Sequence, residues 1–288
     1  MIVPLSRVRR LETSNKGQPV LPHKRPSHLP DFSNPPLHEV LLGVQFQPPL
    51  GYQQIRAGEV WSLYKNEFPV VQEHQPLEQV FETFGLSHFS GGLNLITGAV
   101  HDRFWFLRTD GDELVQFQQD RLLHNWRKLG IKSNIYPRFE RMAKSFKTEL
   151  QQFETYIKSL APQELVINQC EIGYVNHIDV GPPPLQLDRW VRDFSLEAVE
   201  IEDANMSFRE IIRGEQGQPV GRLNYSITSG LKADGSRIIV LSTTARGAPE
   251  GADIESAMRF LERGRELIVT RFAQITTEEA HKVWGRRQ

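Results

Sequence analysis

Two runs of apolar residues at helical spacing constrain this chain more than any other feature. Phe139, Met142, Phe146, Leu150, Phe153, Ile157 and Leu160 recur at intervals of 3, 4, 4, 3, 4 and 3, and Ile254, Ala257, Leu261, Gly264, Ile268, Phe272 and Ile275 at 3, 4, 3, 4, 4 and 3. Each run puts one apolar stripe on a helix about 30 Å long at roughly 1.5 Å per residue. Such a stripe must be buried against another element, and the residues before each run supply one. Pro137 suits a first helical turn, Pro162 closes the first segment, and Asp253 is placed to cap the second.

Val40, Leu42, Val44 and Phe46 alternate and stop at Pro48-Pro49, which predicts a strand over 39–46. Ile55, Val60, Trp61, Leu63 and Tyr64 share a helical face that ends near Phe68-Pro69. In the stretch 70–99, Gly91-Gly92 marks a loop and 93–97 a short strand. Alternating runs at 103–108 and 113–118 flank Thr109-Asp110-Gly111-Asp112, a hairpin signal because Gly accepts φ > 0 without a Cβ clash. In the second half, 165–178 predicts a long strand, 187–194 a short helix, and 207–213, 220–229 and 237–244 strands joined by Gly-containing turns. Both halves thus read β-α-(antiparallel meander)-long α. The expected fold is α+β, with two pseudo-repeated modules at 37–162 and 163–288, each sheet packed on its own long helix. Residues 1–36 carry seven prolines, and up to residue 30 six Lys and Arg face Glu12 alone, so an extended basic arm is expected there.

Lys and Arg number 34 against 35 Asp and Glu, a net charge of -1, so no long-range field draws nucleic acid or an anionic membrane to the whole molecule. No stretch approaches the roughly 20 apolar residues of a membrane span, and residues 1–30 lack the apolar run of a secretory leader. The single Cys170 excludes an intramolecular disulfide and an all-cysteine zinc cage, and a cytoplasmic location is expected. The phosphate-binding glycine loops, the nucleophile elbow G-x-S-x-G and the metal helix H-E-x-x-H are all missing, and no two of the nine histidines fall three or four apart on a predicted helix. No catalytic residue, metal or cofactor is therefore expected, and the enzyme reading is disfavoured.

The densest chemistry lies at Gln118-Gln119-Asp120-Arg121, Asn125-Trp126-Arg127 and Tyr136-Pro137-Arg138-Phe139-Glu140-Arg141. Planar guanidiniums beside Trp and Tyr suit a phosphate clamp or base stacking, which makes Arg121, Asn125, Trp126, Arg127, Tyr136 and Arg138 candidate binding residues. The interleaved Asp120 and Glu140 favour instead an ion-pair knot that braces the crossing from hairpin to helix. On a strand, Tyr174 and Asn176 point to one face and His177 and Asp179 to the other. Tyr174, Asn176 and His177 are further candidates, His177 with Asp179 as a proton-transfer pair or as groups satisfied at a sheet rim.

Pro35-Pro36-Leu37-x-Glu39-Val40, Gln118-x-Asp120-Arg121-x-x-x-Asn125-Trp126-Arg127, Tyr136-Pro137-Arg138-Phe139-Glu140 and Tyr174-Val175-Asn176 resemble the pattern of a sporadically distributed, uncharacterised family of bacterial proteins. The likeness spans roughly 34–276. It implies a bacterial, cytoplasmic protein of the sort carried on mobile or defence-associated gene cassettes, assigns no activity, and leaves the basic arm outside.

The leading expectation is a non-enzymatic interaction or regulatory protein that binds a macromolecular partner. A small-ligand binder with a pocket between sheet and long helix is the alternative, and nucleic-acid binding through a saddle-like sheet a further, less favoured one. A homodimer is expected as well, since strands 220–229 and 237–244 carry no proline to blunt an open edge.

Overall fold

The structure is a computed structural model that describes residues 25–85, 102–129, 134–182, 184–194 and 201–287. The expected loop and strand at 91–97 and most of the basic arm lie outside the described residues. Strand β1 (Leu37–Phe46) leads to helix α1 (Ala57–Tyr64), then β2 (Val70–His74), β3 (Arg103–Leu107), β4 (Glu113–Gln118), β5 (Arg121–Arg127) and helix α2 (Phe139–Leu160). The second half contributes β6 (Ile167–Asp179), β7 (Asn205–Arg213), β8 (Pro219–Leu231), β9 (Arg237–Gly247), helix α3 (Ile254–Ile275) and helix α4 (Glu278–Trp284).

Instead of a separate sheet in each half, the nine strands form one antiparallel sheet in the order β2-β3-β4-β5-β1-β6-β9-β8-β7. The two halves meet where β1 pairs with β6, with Leu42 opposite Ile172 and Val44 opposite Cys170. Joining them there gives the N–H and C=O groups of both strands partners that separate sheets would leave unpaired. Strands β8 and β9 lie inside the sheet, β9 between β6 and β8 and β8 between β9 and β7. The edges from which a dimer was expected are therefore closed within one chain, and among the described residues the outer strands are β2 and β7.

Period-two alternation sends Val40, Leu42 and Val44 of β1, Leu122 and Trp126 of β5, and Ile172 and Tyr174 of β6 to one face. There α2 and α3 pack with their stripes inward: α2 lies on β5 and β1, and α3 on β6 and β9. Phe146, Leu150, Phe153 and Leu261 are fully buried. Helix α3 approaches so closely that a Cβ on Gly264 would sit 2.6 Å from Ile172 Cγ2, so the glycine in this stripe sets the helix-to-sheet distance. Asp253 caps α3 as expected, accepting from Ser256 N–H. Gly111 takes φ 76° in the β3–β4 turn.

Two expectations change. Residues 187–194 form a single turn, because Leu187, Trp190 and Val191 supply one helical step of apolar contact and Asp193 at φ 57° ends it. The described end of the arm is packed: Leu29 and Phe32 are buried, and Phe32 stands edge-on to Phe272 and Trp284. No helix among the described residues is long and apolar enough to cross a membrane.

Candidate functional site

The face of the sheet away from α2 and α3 is built from the other parity of the same strands, and it mixes polar side chains with apolar ones such as Leu41, Leu114 and Leu123. It presents Arg103, Arg121, Arg127, Arg209, Arg222 and Arg246 against Glu39, Glu171 and Asp179, with Gln45, Gln116, Gln118, Asn125 and Gln169 between them.

A strap of residues 75–85, with no helix or strand of its own, crosses this face. Arg103 Nε donates to the Gln75 carbonyl at 3.2 Å. The Gln118 amide both accepts from Leu77 N–H at 2.9 Å and donates to Leu77 O at 3.0 Å. Arg121 Nη2 donates to Glu78 O at 2.8 Å, and Val80 N–H donates to Gln45 Oε1 at 3.1 Å. Glu82, its side chain almost fully buried, lies 3.5 Å from Arg222 and 3.8 Å from Arg246. Arg222 Nη2 then reaches Gly85 O at 3.2 Å. From β3 to β8 is six strand spacings, about 29 Å, and ten residue steps reach at most about 36 Å, so the strap is close to fully extended. The sheet holds it almost entirely by its main chain, with Glu82 as the one side chain read by charge. Leu77, Val80, Phe81 and Phe84 of the strap are partly exposed, and the Phe84 ring lies against Arg222.

The structure divides the sequence-derived candidates between the two faces. Arg121 and Asn125 are buried on the strap face, Arg121 paired with Asp120, and Asn125 bonded to Gln116 and Glu39. Arg127 donates to Gly111 O and lies over Trp105, whose ring also stacks on His74. His177 shares that face and stacks on His38 at 3.7 Å rather than pairing with Asp179, which binds Lys232. Burial, with the neighbouring His38 and Lys232, lowers the His177 pKa to about 4, so the ring is neutral at pH 7. Trp126, Tyr136, Tyr174 and Asn176 belong to the helix side: Trp126 packs on Tyr136, the Tyr136 and Tyr174 hydroxyls are 3.2 Å apart, and Asn176 donates to Leu241 O. Arg138 binds Asp31. A single ion-pair knot does not form, since Glu140 pairs with Arg265 of α3 and Arg141 with Glu113.

Sequence reasoning passed over a buried charged cluster on the helix side. His124 of β5 lies between Glu149 of α2, with Oε1 2.9 Å from Nδ1, and Glu113 of β4, with Oε2 3.7 Å from Nε2. Burial alone would lower the His124 pKa; the two carboxylates outweigh it and raise it to about 9. For Glu113, burial works against the charge, but His124, Arg108 and Arg141 hold its carboxyl below the usual range. A groove of about 740 Å³ between α1 and α2, lined by Arg141, Lys144, Glu67 and Glu149 among others, borders the cluster. A histidine already protonated at pH 7 has no lone pair with which to accept a proton, so this arrangement braces α2 on the sheet and does not suit general-base work.

The chain matches no protein-family model and no curated protein. What it does must therefore be read from the site itself.

Proposed function

We propose that this is a non-enzymatic interaction protein whose polar sheet face binds an extended, acidic segment of a macromolecular partner. The observation that carries the reading is the strap: side chains from five strands satisfy main-chain groups of a nearly extended segment, and two arginines receive its one inward carboxylate. Main-chain recognition with a charged anchor is how extended peptides are commonly held. Six arginines against four carboxylates, Asp120 included, leave the bare face complementary to an acidic segment, and the strap's own Glu78 and Glu82 fit that sign. The arginines divide evenly, three on β3 and β5 and three on β7, β8 and β9. Toward the centre, β3-β4-β5-β1 and β7-β8-β9-β6 run in matching order, and in each half a long helix follows the meander. Both features support the reading of two pseudo-repeated modules that build one face.

The test is a labelled peptide of residues 73–85 titrated onto the full chain. Weakening the resident strap with Glu82→Lys should tighten peptide binding by roughly tenfold over wild type. Adding Arg121→Ala and Arg222→Ala to that variant should abolish the binding. No binding to any of these chains would overturn the proposal, and displacement of the peptide by a short single-stranded oligothymidylate would favour nucleic acid as the occupant.

A second copy of the chain is a further proposed partner, through the outer edge of β7. This nine-residue strand contains no proline and exposes Phe208 and Ile211. Light scattering at low micromolar protein is expected to give twice the 33.1 kDa of one chain. A single-chain mass that does not change on concentrating would exclude the dimer.

A further inference from the structure

Between strap and sheet lies a cavity of about 220 Å³, roofed by residues 77–80 of the strap. Its floor and walls come from the strap face of four strands: Gln45, Arg121, Leu123, Gln169, Glu171 and Arg246. The space exists partly because residue 43 is glycine, where a Cβ would come within 2.7 Å of Leu123 Cδ2 and 3.2 Å of Glu171 Cγ. Most polar groups here are satisfied by the protein: Gln45 by Val80 and Asn168, Arg121 by Asp120 and Glu78, and Arg246 by Glu171 at 2.8 Å. Gln169 is the exception. Its side chain is buried, 7% exposed, and Oε1 has no hydrogen-bond partner. A buried amide oxygen without a donor costs on the order of 1–3 kcal/mol, which a molecule in the cavity carrying an N–H or O–H group would recover.

We infer that this cavity is a binding site for a small zwitterion of the α-amino-acid class, partly covered by the strap. The lining sets each requirement. Gln169 Oε1 and the Glu171 carboxylate accept hydrogen bonds and suit an ammonium group, while the Arg121 and Arg246 guanidiniums suit a carboxylate. Both signs of charge line one space, so a molecule bearing both is matched where a simple anion or cation would meet one repelling group. The volume lies below the roughly 300–1,000 Å³ of sites for drug-sized ligands, which limits the guest to a few heavy atoms beyond the zwitterionic core. Leu123 of the floor, with Leu77 and Val80 of the strap, is left to meet a short apolar side chain. Since Leu77, Glu78 and Val80 of the strap form one side of the site, a bound molecule adds to what holds the strap down. The inference stands whether or not the face also takes a partner segment.

The probes are L-serine, L-glutamine and L-glutamate at millimolar concentration, with acetate and methylammonium as single-ended controls. The readouts are thermal unfolding and calorimetric titration of the full chain. At least one amino acid is expected to raise the melting temperature by several degrees at saturation, and both controls to leave it unchanged. Gln169→Leu, which keeps the volume but removes the acceptor, should weaken that amino acid at least tenfold. Leu123→Phe, which fills the cavity, should abolish the effect while the circular dichroism spectrum stays that of wild type. Failure of all three amino acids, an equal effect of acetate, or undiminished binding to both variants would overturn the site and leave a cavity that holds water alone. Gln169→Leu alters neither Arg121 nor Arg222, the arginines that the peptide titration reads, so loss of amino-acid binding in that variant and loss of peptide binding are separate outcomes.

Discussion

Glu149→Leu is expected to destabilise the fold by about 3–5 kcal/mol, the usual cost of stranding a buried charge by removing its partner. His124 is fully buried beneath α2, and the Glu149 carboxylate lies 2.9 Å from its Nδ1. Glu113 on the other side is already shared with Arg108 and Arg141, so it offers the ring only part of a replacement. The same cluster makes stability depend on pH. In the unfolded chain His124 titrates near 6.5, whereas in the fold it holds its proton to about 9. The folded state therefore binds the proton more tightly. Its contribution, on the order of 3 kcal/mol, is present in full below about pH 6.5 and is lost as pH climbs to 9. His177 acts in the opposite sense: with its pKa lowered to about 4 in the fold, protonation favours the unfolded chain, and stability is lost as pH falls from about 6.5 toward 4. Urea unfolding followed from pH 4 to 9.5 should show a maximum a little below neutrality. In Glu149→Leu the decline on the alkaline side should shrink markedly. A wild-type profile flat between 6.5 and 9 would show that His124 is not held as a cation.

Trp126→Ala should cost about 3–5 kcal/mol, the range for emptying a large buried aromatic site. The ring is 2% exposed, sits opposite both Val40 and Glu113 in the sheet, and packs on Tyr136 with centroids 5.1 Å apart. It is the side chain through which β5 holds the segment that enters α2, so its loss opens the junction as well as the core. Its indole N–H has no partner, and Trp126→Phe, which removes that donor and retains most of the volume, should cost much less. Chemical denaturation of the two variants distinguishes the cases. An alanine variant as stable as wild type would mean that Trp126 serves a surface and not the core.

How far the sequence reveals this fold depends on whether burial is one-sided. Helices α2 and α3 are legible to the residue because each buries a single stripe and exposes the rest. Strand β5 is not, because both its faces are covered: Leu122, His124 and Trp126 by α2 and its neighbours, and Arg121 and Asn125 by the strap and adjacent polar side chains. With polar and apolar residues buried alike, Arg121-Leu122-Leu123-His124-Asn125-Trp126-Arg127 shows no clean alternation and reads as a linker. The strap leaves still less trace. Its contacts run from its own main chain to side chains on remote strands, so no periodicity within 75–85 records them. The charged cluster did leave a signal. Glu149 stands three residues after Phe146 and four before Phe153, inside the apolar stripe, and His124 lies between the core residues Leu122 and Trp126. A charge in one stripe and a histidine in the facing strand together mark a buried pair.

The claim that the sheet face is a binding surface occupied by the chain itself requires the strap to be docked and yet able to leave. The amides of Leu77 and Val80 report this directly, since each donates only to a sheet side chain, Gln118 and Gln45 respectively. Native-state hydrogen exchange across low urea concentrations is the measurement. If the face can be vacated, both amides will be protected but will exchange through a local opening, well below the free energy of unfolding and insensitive to urea, while β5 amides exchange only with global unfolding. If Leu77 and Val80 exchange only together with β5, the strap is a permanent part of the core and the face is not available to a partner.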